Sequence, residues 1–376
     1  MSGKLSSDPF IVLKHATKVS NISSIDHDPL RQRWPLPSSP RPIVLIGAGG
    51  IVKDAHLPAY KLASFEVEGV FDVQSERSQS LAKEFGIGKV FDSLQEALAT
   101  SDVVFDIAVP PDRLLAVLEQ LPSDATVLMQ KPMGTRLDEA RRITEVCNEK
   151  RLTAAVNFQL RFSPMMLAIG DLIERGLIGD ITDVEVHLNY REPWELFPFL
   201  KKQPRVEMLI ASIHYYDWIR SVLGEPAGVY AHSIPHPRFA EFETTRTSAI
   251  LDYGTQARCC LSLNNTWAFG PRHERCTIRL EGLKGAAVVT LGCLINYPQG
   301  EPDRLEFITA GGEWTELELQ GGWFPEAFIG TMANLQRFAA GEDDVLSTRV
   351  DDALKTMALI EALYTSSEHG ATPISL

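Results

Sequence analysis

The chain has 376 residues, of which 44% are hydrophobic and 23% charged, and its formal net charge is −13. This length suits two domains, because a single hydrophobic core stops growing at roughly 250–300 residues. The acidic charge comes without any basic stripe, which argues against nucleic acid or an anionic membrane as a partner, since both attract basic surfaces.

Residues 1–40 differ from the rest of the chain. They show no sustained periodicity and carry five prolines, at positions 9, 29, 35, 37 and 40. We therefore predict an N-terminal extension, and a loosely held tail is the favoured interpretation. The alternative is that the end of the extension, Trp34 to Pro37, lies in a groove of its own chain or of a neighbouring subunit.

The stretch from residue 41 to residue 60 predicts a dinucleotide-binding unit. Residues 43–46 form an unbroken apolar run, as expected of a parallel strand covered on both faces. The run leads into a glycine-rich turn, where glycine allows close approach of the backbone to a pyrophosphate. The third small residue of the usual pattern is replaced by a valine. We predict cofactor contacts from Gly47, Gly49, Gly50, Ile51 and Val52.

An acidic residue follows the second predicted strand, residues 67–71. Asp72 lies 23 residues after Gly49, at the spacing where an acid accepts hydrogen bonds from the adenosine ribose. A 2′-phosphate would be repelled there, so the sequence predicts NAD in preference to NADP. The alternative interpretation is a glycine turn of some other α/β protein, followed by a solvated aspartate.

Strands and helices alternate through this region, which predicts a parallel sheet with right-handed crossovers. Pro58 cannot lie inside a regular helix, so we expect the first helix to kink or restart near His56. Ligands bind at the carboxyl ends of such strands, where the sequence has Val109-Pro110 and Gln130-Lys131-Pro132. Helices are predicted at 54–63, 76–85, 94–99 and 137–150, and strands at 103–109, 125–129 and 153–158.

The pattern changes near residues 159–164, after which helical segments alternate with longer strand-like stretches. This predicts an α+β domain with a large, mostly antiparallel open sheet. The fold class is therefore α/β, with an extension (1–40), a Rossmann NAD-binding domain (41–160), an α+β domain (161–345) and a C-terminal helix and tail (346–376). Helices are predicted at 164–175, 207–223, 326–340 and 350–364, and strands at 181–190, 247–253, 257–263 and 277–281.

The five cysteines are odd in number and show no CxxC spacing, which favours reduced thiols over disulfides or a zinc site. His232 and His236 are four residues apart, but Pro235 between them argues against a helix that would bring them to one metal. We predict no metal. No apolar run spans a bilayer, and residues 1–10 lack the core of a signal peptide, so we expect a cytoplasmic protein.

With the glycine turn, Lys131-Pro132 and His214 in view, the sequence resembles the Gfo/Idh/MocA family from about Pro42 to the C-terminus. The resemblance implies a Rossmann domain that ends in a Glu-Lys-Pro motif. It also implies a second domain whose open sheet faces substrate on one side and another subunit on the other, giving a homodimer or homotetramer. Members typically oxidise a sugar or polyol hydroxyl and pass hydride to nicotinamide.

The resemblance also implies roles for individual residues. Gly47, Gly49, Gly50 and Asp72 would contact the dinucleotide, and Pro110 the nicotinamide ribose, with Val109 and Gln130 beside them. Lys131 would lie in the active site. The segment FQLRFSP at 158–164 is similar to the family's entry into the substrate domain. Substrate contacts are accordingly predicted at Gln159, Arg161, Trp194 and His214.

Two departures from the family pattern concern the acids of the site. Gln130 replaces the glutamate of the Glu-Lys-Pro motif, and Ile210 stands where an aspartate normally precedes His214 by four residues. On a helix, Glu207 or Asp217 would share a face with His214 and could orient it instead.

Oxidation of a carbinol requires a base, and the sequence offers Lys131 and His214 for this acid–base role. A lysine that is buried beside a positive nicotinamide has a lowered pKa. A cis bond at Lys131-Pro132 would turn the side chain into the cleft. The alternatives are a solvated surface lysine and a hydrogen-bonded core histidine. Arg161 and Trp194 are as readily structural as they are sugar contacts.

The sequence favours an NAD-dependent dehydrogenase that acts on a sugar or polyol. It would oxidise a ring hydroxyl to a keto sugar, or the anomeric carbon to a lactone, with a branched or short aldose such as apiose as one candidate. The alternative is a non-catalytic dinucleotide-binding regulator of the same family. Specificity is expected in the loop at 191–205.

Overall fold

The structure is a computed structural model that describes residues 28–194, 200, 205–296 and 299–370. Its first sheet has five parallel strands, three of which are buried at every residue. The five strands are β1 (Ile43–Ile46), β2 (Val67–Phe71), β3 (Val104–Ile107), β4 (Thr126–Met129) and β5 (Thr153–Val156).

The strand order of this sheet is β2-β1-β3-β4-β5. Strand β1 has β2 on one side and β3 on the other, so the winding direction reverses at β1. Such a reversal opens a crevice beyond the carboxyl ends of the strands, where ligands bind in open α/β sheets. The predicted parallel sheet is confirmed.

Helices cover both faces of the first sheet. A π-helical turn, Val52–His56, precedes the first α-helix, which starts at Leu57 with Pro58 in its first turn, where a missing N–H costs nothing. The predicted restart near His56 is confirmed. The helices are α1 (Leu57–Ala63), α2 (Ser75–Phe85), α3 (Leu94–Leu98), α4 (Pro111–Leu118) and α5 (Leu137–Glu149). Helix α4 was not predicted, although a proline at its first position favours helix initiation.

The second sheet is larger and is mostly antiparallel, as predicted. Its strands are β6 (Ile181–Asn189), β7 (Gly228–Ile234), β8 (Arg246–Asp252), β9 (Arg258–Asn264), β10 (Arg275–Gly282), β11 (Gly285–Thr290), β12 (Arg304–Thr309) and β13 (Thr315–Leu317). The strand order is β13-β12-β11-β10-β6-β9-β8-β7, and the β6–β9 pair is parallel. Strands β7 and β11 to β13 were not predicted.

Four further helices follow in the rest of the chain: α6 (Pro164–Glu174), α7 (Ile213–Leu223), α8 (Glu326–Ala339) and α9 (Val350–Glu368). Helix α9 caps the edge strand β7, because Ser366 and Ser367 accept hydrogen bonds from the N–H groups of Ala231 and Ser233. Helix α8 belongs to the core of the first sheet, where Phe328 and Met332 pack with its buried strand residues.

The end of the N-terminal extension lies along its own chain. The Trp34 indole packs edge-on against Phe162, at 5.1 Å between ring centroids, and donates a hydrogen bond of 2.8 Å to Asp343. The N–H of Ser38 donates to Glu342. The prediction of a loosely held tail is therefore wrong for this part of the extension, which instead lies against its own chain. Residues 1–27 lie outside the described part.

The five cysteines are free thiols, and Cys147, Cys259 and Cys276 are buried. Burial raises the pKa of the Cys147 thiol to about 12, so it stays protonated at neutral pH. Within the described ranges, no helix is both long enough and apolar enough to cross a bilayer.

Candidate active site

The glycine turn after β1 has one position that only glycine fits. Gly47 has φ +110°, and a Cβ there would overlap the carbonyl oxygen of Ala108. Its N–H donates to the carbonyl of Phe71, at 2.7 Å. A Cβ on Gly49 would meet no atom within 4 Å. Gly49 is thus not required by packing within the chain, and the open space beside it fits the close approach of a dinucleotide pyrophosphate.

Asp72 is fixed beside the same turn. One carboxylate oxygen accepts from the Ala48 N–H and the other from the Gln74 N–H, both at 2.8 Å. Each oxygen keeps lone-pair capacity for a further donor. This arrangement fits an acceptor for the ribose hydroxyls of a dinucleotide.

At the start of the helix after the turn, Ile51 lies on the ligand side and Val52 lies in the core. Ile51 is partly buried, and its N–H lies in the first helical turn, where no earlier helical carbonyl accepts from it. Val52 is fully buried in the core, and its N–H donates to Gly49 at 3.1 Å. The prediction that Val52 contacts the cofactor is therefore wrong, because its side chain faces the core and its N–H is occupied.

Two further loops reach the same edge of the first sheet, because they follow the carboxyl ends of β3 and β4. Val109 is partly buried and Pro110 is exposed at the start of α4. After β4, the Lys131-Pro132 bond is cis. The Oε1 atom of Gln130 is buried and has no hydrogen-bond partner in the described structure.

The Lys131 amino group is held by a main-chain carbonyl of the second domain. Its Nζ donates to the Ile210 oxygen at 2.6 Å. Burial lowers the pKa of Lys131 to about 8, and the nearby Glu192 carboxylate opposes this shift. Both the free amine and the ammonium are therefore populated near neutral pH. The alternative interpretation of Lys131 as a solvated surface lysine is therefore excluded.

His214 lies near Lys131, as predicted. It is the second residue of α7 and is 4% exposed. Burial and the Lys131 charge lower the pKa of His214 well below its usual value, so the imidazole is neutral at neutral pH. Its ring lies edge-on to Trp323 and Phe158, at centroid distances of 5.5 and 6.4 Å. Its Nδ1 has no hydrogen-bond partner among the described residues.

Neither acid that was considered as an orienting partner of His214 serves that purpose. The helix is interrupted: a π-helical turn, Glu207–Ala211, gives way to α7 at Ile213, so α-helical spacing does not apply. The buried Glu207 carboxylate accepts from the hydroxyls of Ser212 and Thr247. Asp217 pairs with an arginine. Both alternatives are therefore wrong.

That arginine is Arg161, and each nitrogen of its guanidinium donates a hydrogen bond within the protein. Two of its nitrogens bind the two Asp217 oxygens, at 2.6 and 2.7 Å. It also donates to Asp352 at 2.7 Å and to the Ser347 carbonyl at 2.9 Å. The predicted substrate contact of Arg161 is therefore wrong, because the residue ties α7 to α9 in a buried ion-pair network.

Trp194 and Gln159 are both buried. The Trp194 indole packs against Phe242, at 4.8 Å between ring centroids, in an apolar cluster with Val206. This favours the structural interpretation of Trp194. Gln159 is 1% exposed, follows Phe158 beside His214, and has an Oε1 atom without a partner in the described structure.

One charged residue of this site was missed by the sequence analysis. Glu192 lies two residues after Tyr190, whose hydroxyl donates to the carboxylate at 2.5 Å. Burial raises the pKa of Glu192 above its usual value, and the Tyr190 hydrogen bond and the Lys131 charge oppose this shift. The feature of the sequence that could have indicated Glu192 is an acidic residue just beyond a buried strand, within the loop at 191–205. Residues 195–199 and 201–204 of this loop lie outside the described part.

Two models of one protein family match the chain. The oxidoreductase family with an NAD-binding Rossmann fold, GFO_IDH_MocA, matches residues 41–158. The GFO/IDH/MocA C-terminal domain matches residues 166–308.

Individual proteins resemble the chain over most of its length. It is 26% identical to D-apiose dehydrogenase of Paraburkholderia graminis over 351 residues, which cover 87% of this chain and 88% of that protein. An oxidoreductase from Agrobacterium radiobacter, solved in complex with NAD+, L-tartaric acid and magnesium, has a TM-score of 0.73 and 21% identity. The alignment covers 89% of this chain and 98% of that one. A putative myo-inositol dehydrogenase from Sinorhizobium meliloti has a TM-score of 0.70 and 22% identity, with 88% and 98% covered. These structural similarities confirm the fold.

Proposed function

Because the chain belongs to the GFO/IDH/MocA oxidoreductase family, with its NAD-binding Rossmann domain, we propose that it is an NAD-dependent dehydrogenase of a sugar or polyol hydroxyl. The observation that carries the proposal is the position of Lys131. Lys131 follows β4 at the ligand-binding edge of the first sheet. Its amino group is close enough to His214 to lower the pKa of the imidazole, and its own pKa is about 8. Residues 41–160 bind the dinucleotide, residues 161–345 bind the substrate, and residues 346–376 carry the C-terminal helix α9.

The chain supplies the acid–base part of this reaction. NAD, when bound, accepts the hydride that leaves the carbinol carbon. The free amine of Lys131 takes the hydroxyl proton, and the Ile210 carbonyl at 2.6 Å fixes the direction of Nζ. The neutral His214 contributes a hydrogen bond to the same substrate through a ring nitrogen that has no protein partner. Gln159 lies beside it and orients a second hydroxyl. No metal takes part.

Asp72 sets the cofactor preference. Its carboxylate, held by Ala48 and Gln74, accepts the ribose hydroxyls of NAD and repels the additional phosphate of NADP. We expect NAD to bind at least ~10-fold more tightly, a difference of roughly 1.4 kcal/mol. Calorimetric titration with both dinucleotides measures this ratio. Equal affinities for NAD and NADP would show that Asp72 does not set the cofactor preference. Asp72→Asn is expected to reduce the difference between the two affinities.

As the first candidate substrate we propose an aldose that is oxidised at the anomeric carbon to a lactone. The similarity to D-apiose dehydrogenase extends over most of both chains and supports a branched or short aldose such as apiose. Oxidation of a ring carbinol to a keto sugar is the second candidate. Formation of NADH, followed at 340 nm with a panel of aldoses, polyols and glycosides, tests the proposal. Product analysis by NMR then distinguishes lactone from keto sugar.

A non-catalytic dinucleotide-binding regulator is the alternative from the same family. It would bind NAD and reduce none of it with any member of the panel. The partly buried Lys131 and the buried His214 argue against it, because a regulator has no use for a lysine whose pKa lies near neutrality.

We also propose a homodimer or homotetramer, formed through the outer face of the second sheet. Tyr230 and Ile250 are cross-strand neighbours on that face and are 66% and 50% exposed. Sedimentation velocity that gives only monomer at micromolar concentration would contradict this assembly.

The five free thiols suit a reducing compartment, so we place the protein in the cytoplasm. Neither nucleic acid nor a membrane is a partner.

A further inference from the structure

We propose that Glu207 is a positioning residue for Lys131: its carboxylate fixes the π-helical turn whose Ile210 carbonyl holds the lysine amino group. This inference rests on the proposed acid–base role of Lys131. Glu207 acts through the main chain of the turn, and we assign it no contact with substrate or cofactor.

The π-helical turn, Glu207–Ala211, is the part of the second domain that binds the lysine. Lys131 Nζ donates to the Ile210 carbonyl oxygen at 2.6 Å. One N–H of the free amine is thereby directed at this oxygen, so the position of the carbonyl also limits where the nitrogen lone pair points. The geometry of the turn therefore bears directly on the group that takes the substrate proton.

The turn is short, and its main-chain bonds alone do not secure its shape. Ser212 N–H donates to the Glu207 carbonyl at 2.8 Å, which is the five-residue spacing of a π-helix. Ala211 N–H donates in the same way to the Val206 carbonyl, at 3.1 Å. A single helical turn is unstable in isolation, because the first turn of any helix costs more than it gains. Contacts from elsewhere must therefore stabilise this one.

The Glu207 side chain supplies such contacts. One carboxylate oxygen accepts from the Ser212 hydroxyl, so the two ends of the turn are joined by a side-chain bond as well as by the main-chain bond. The other oxygen accepts from the hydroxyl of Thr247, which lies in β8 between β7 and β9. Glu207 and Ser212 are 0% exposed and Thr247 is 3% exposed. The carboxylate therefore attaches the turn to the second sheet, where water does not compete for its oxygens.

This attachment does not depend on the charge of Glu207. Burial raises the pKa of Glu207 to about 7, and the hydrogen bonds from Ser212 and Thr247 oppose this shift. A hydroxyl both donates and accepts, so both contacts are compatible with an ionised and with a protonated carboxyl group. The charge that acts on the pKa of Lys131 is that of Glu192. The influence of Glu207 on the lysine is therefore one of geometry.

Loss of the attachment would affect both protonation states of Lys131. The ammonium would lose a well-placed carbonyl acceptor, and the loss of a hydrogen bond to the charged form lowers the pKa of an amine. The free amine would lose its direction, and proton transfer slows when the base is poorly oriented. A titration of Lys131 reports the first effect, and turnover reports the second.

Glu207→Met tests the inference, because it removes both attachments and keeps most of the buried volume. Lys131 is titrated by NMR of ε-¹³C-labelled lysine, and its signal is assigned by its loss in Lys131→Met. We expect the midpoint of this titration to fall by about one pH unit, which corresponds to one lost hydrogen bond to a charged group. We expect kcat, measured above that midpoint, to fall ~10-fold. An unchanged midpoint, even in a less stable protein, would make Glu207 merely structural and overturn the inference.

Glu207→Gln is the matched control, since it removes the charge and keeps both attachments. The amide oxygen accepts from one hydroxyl, and the amide nitrogen donates to the other. The Lys131 midpoint and kcat should therefore stay close to the wild-type values. If the glutamine variant instead matched Glu207→Met, the effect would belong to the charge of Glu207, and the inference would be overturned.

Thr247→Val and Thr247→Ser provide a second measurement should Glu207→Met not fold. Valine keeps the shape of threonine and removes the hydroxyl that binds Glu207, whereas serine keeps the hydroxyl and removes the methyl group. A lower Lys131 midpoint is expected in the valine variant and a wild-type midpoint in the serine variant. The reverse order, or no shift in either variant, would show that packing at Thr247 matters and the attachment does not.

The NMR titration needs no substrate, so this inference and the proposed base role of Lys131 fail separately. A lower midpoint in Glu207→Met together with full turnover in Lys131→Met would support the positioning by Glu207 and refute the base role. A wild-type midpoint in Glu207→Met together with ~10²-fold slower turnover in Lys131→Met would do the opposite.

Discussion

Lys131→Met is expected to lower turnover on the substrate by ~10²-fold or more while the fold survives. Methionine keeps much of the lysine volume, so the packing around Ile210 is retained and the titrating amine is lost. NAD binding should persist or tighten slightly, because a positive charge near the nicotinamide is removed. Turnover is measured as NADH formation at saturating substrate, and NAD affinity by calorimetry.

Lys150→Met is the matched control for this variant. The Lys150 amino group also donates to a main-chain carbonyl, that of Leu121 at 2.8 Å, but on the far side of the first domain. Turnover should be unchanged in that variant.

In the wild type, the oxidation rate should rise with pH through about 8, since the reaction needs the free amine of Lys131. Full turnover in Lys131→Met would transfer the base role to His214 or to another residue.

Arg161→Met is expected to destabilise the protein by about 3 kcal/mol, because it leaves the buried carboxylate of Asp217 with only the Thr356 hydroxyl and the more distant Arg220, at 4.0 Å, as partners in the described structure. Arg161 also binds Asp352 and the Ser347 carbonyl, so its loss loosens the junction of α7 and α9. The free energy of unfolding is obtained from urea titration followed by circular dichroism.

Arg151→Met distinguishes a buried ion pair from an exposed one. Arg151 binds Asp124 through two nitrogens, as Arg161 binds Asp217, but both partners are mostly exposed. Its urea midpoint should stay close to that of the wild type. If Arg161→Met instead kept wild-type stability and only raised the KM for the substrate, Arg161 would be a substrate contact, contrary to the structure.

The parts of the site that depend on neighbouring residues were predictable from the sequence. The run from β1 through Gly47 to Asp72 follows local rules of strand, turn and crossover, and the structure brings Asp72 to the turn by a hydrogen bond to Ala48. The restart of the helix near His56 follows from the geometry of Pro58 alone.

The incorrect predictions concern partners that are distant in sequence. Arg161 and Asp217 are 56 residues apart, and no local pattern indicates that they pair. The return of α8 to the first core, after the whole second sheet, likewise depends on tertiary packing. The assumption that Glu207 faces His214 failed because the helix changes from π to α geometry at Ser212, a change that side-chain periodicity does not report.

The most direct test of the central claim is isotope transfer from substrate to cofactor. A panel sugar that yields NADH is prepared with deuterium on the carbon that becomes oxidised, and is incubated with the wild-type protein and NAD. The account predicts one deuterium on carbon 4 of the nicotinamide ring for each oxidised sugar, and ~10²-fold slower transfer in Lys131→Met. NADH without deuterium, or no reduction of bound NAD by any sugar or polyol of the panel, would contradict it.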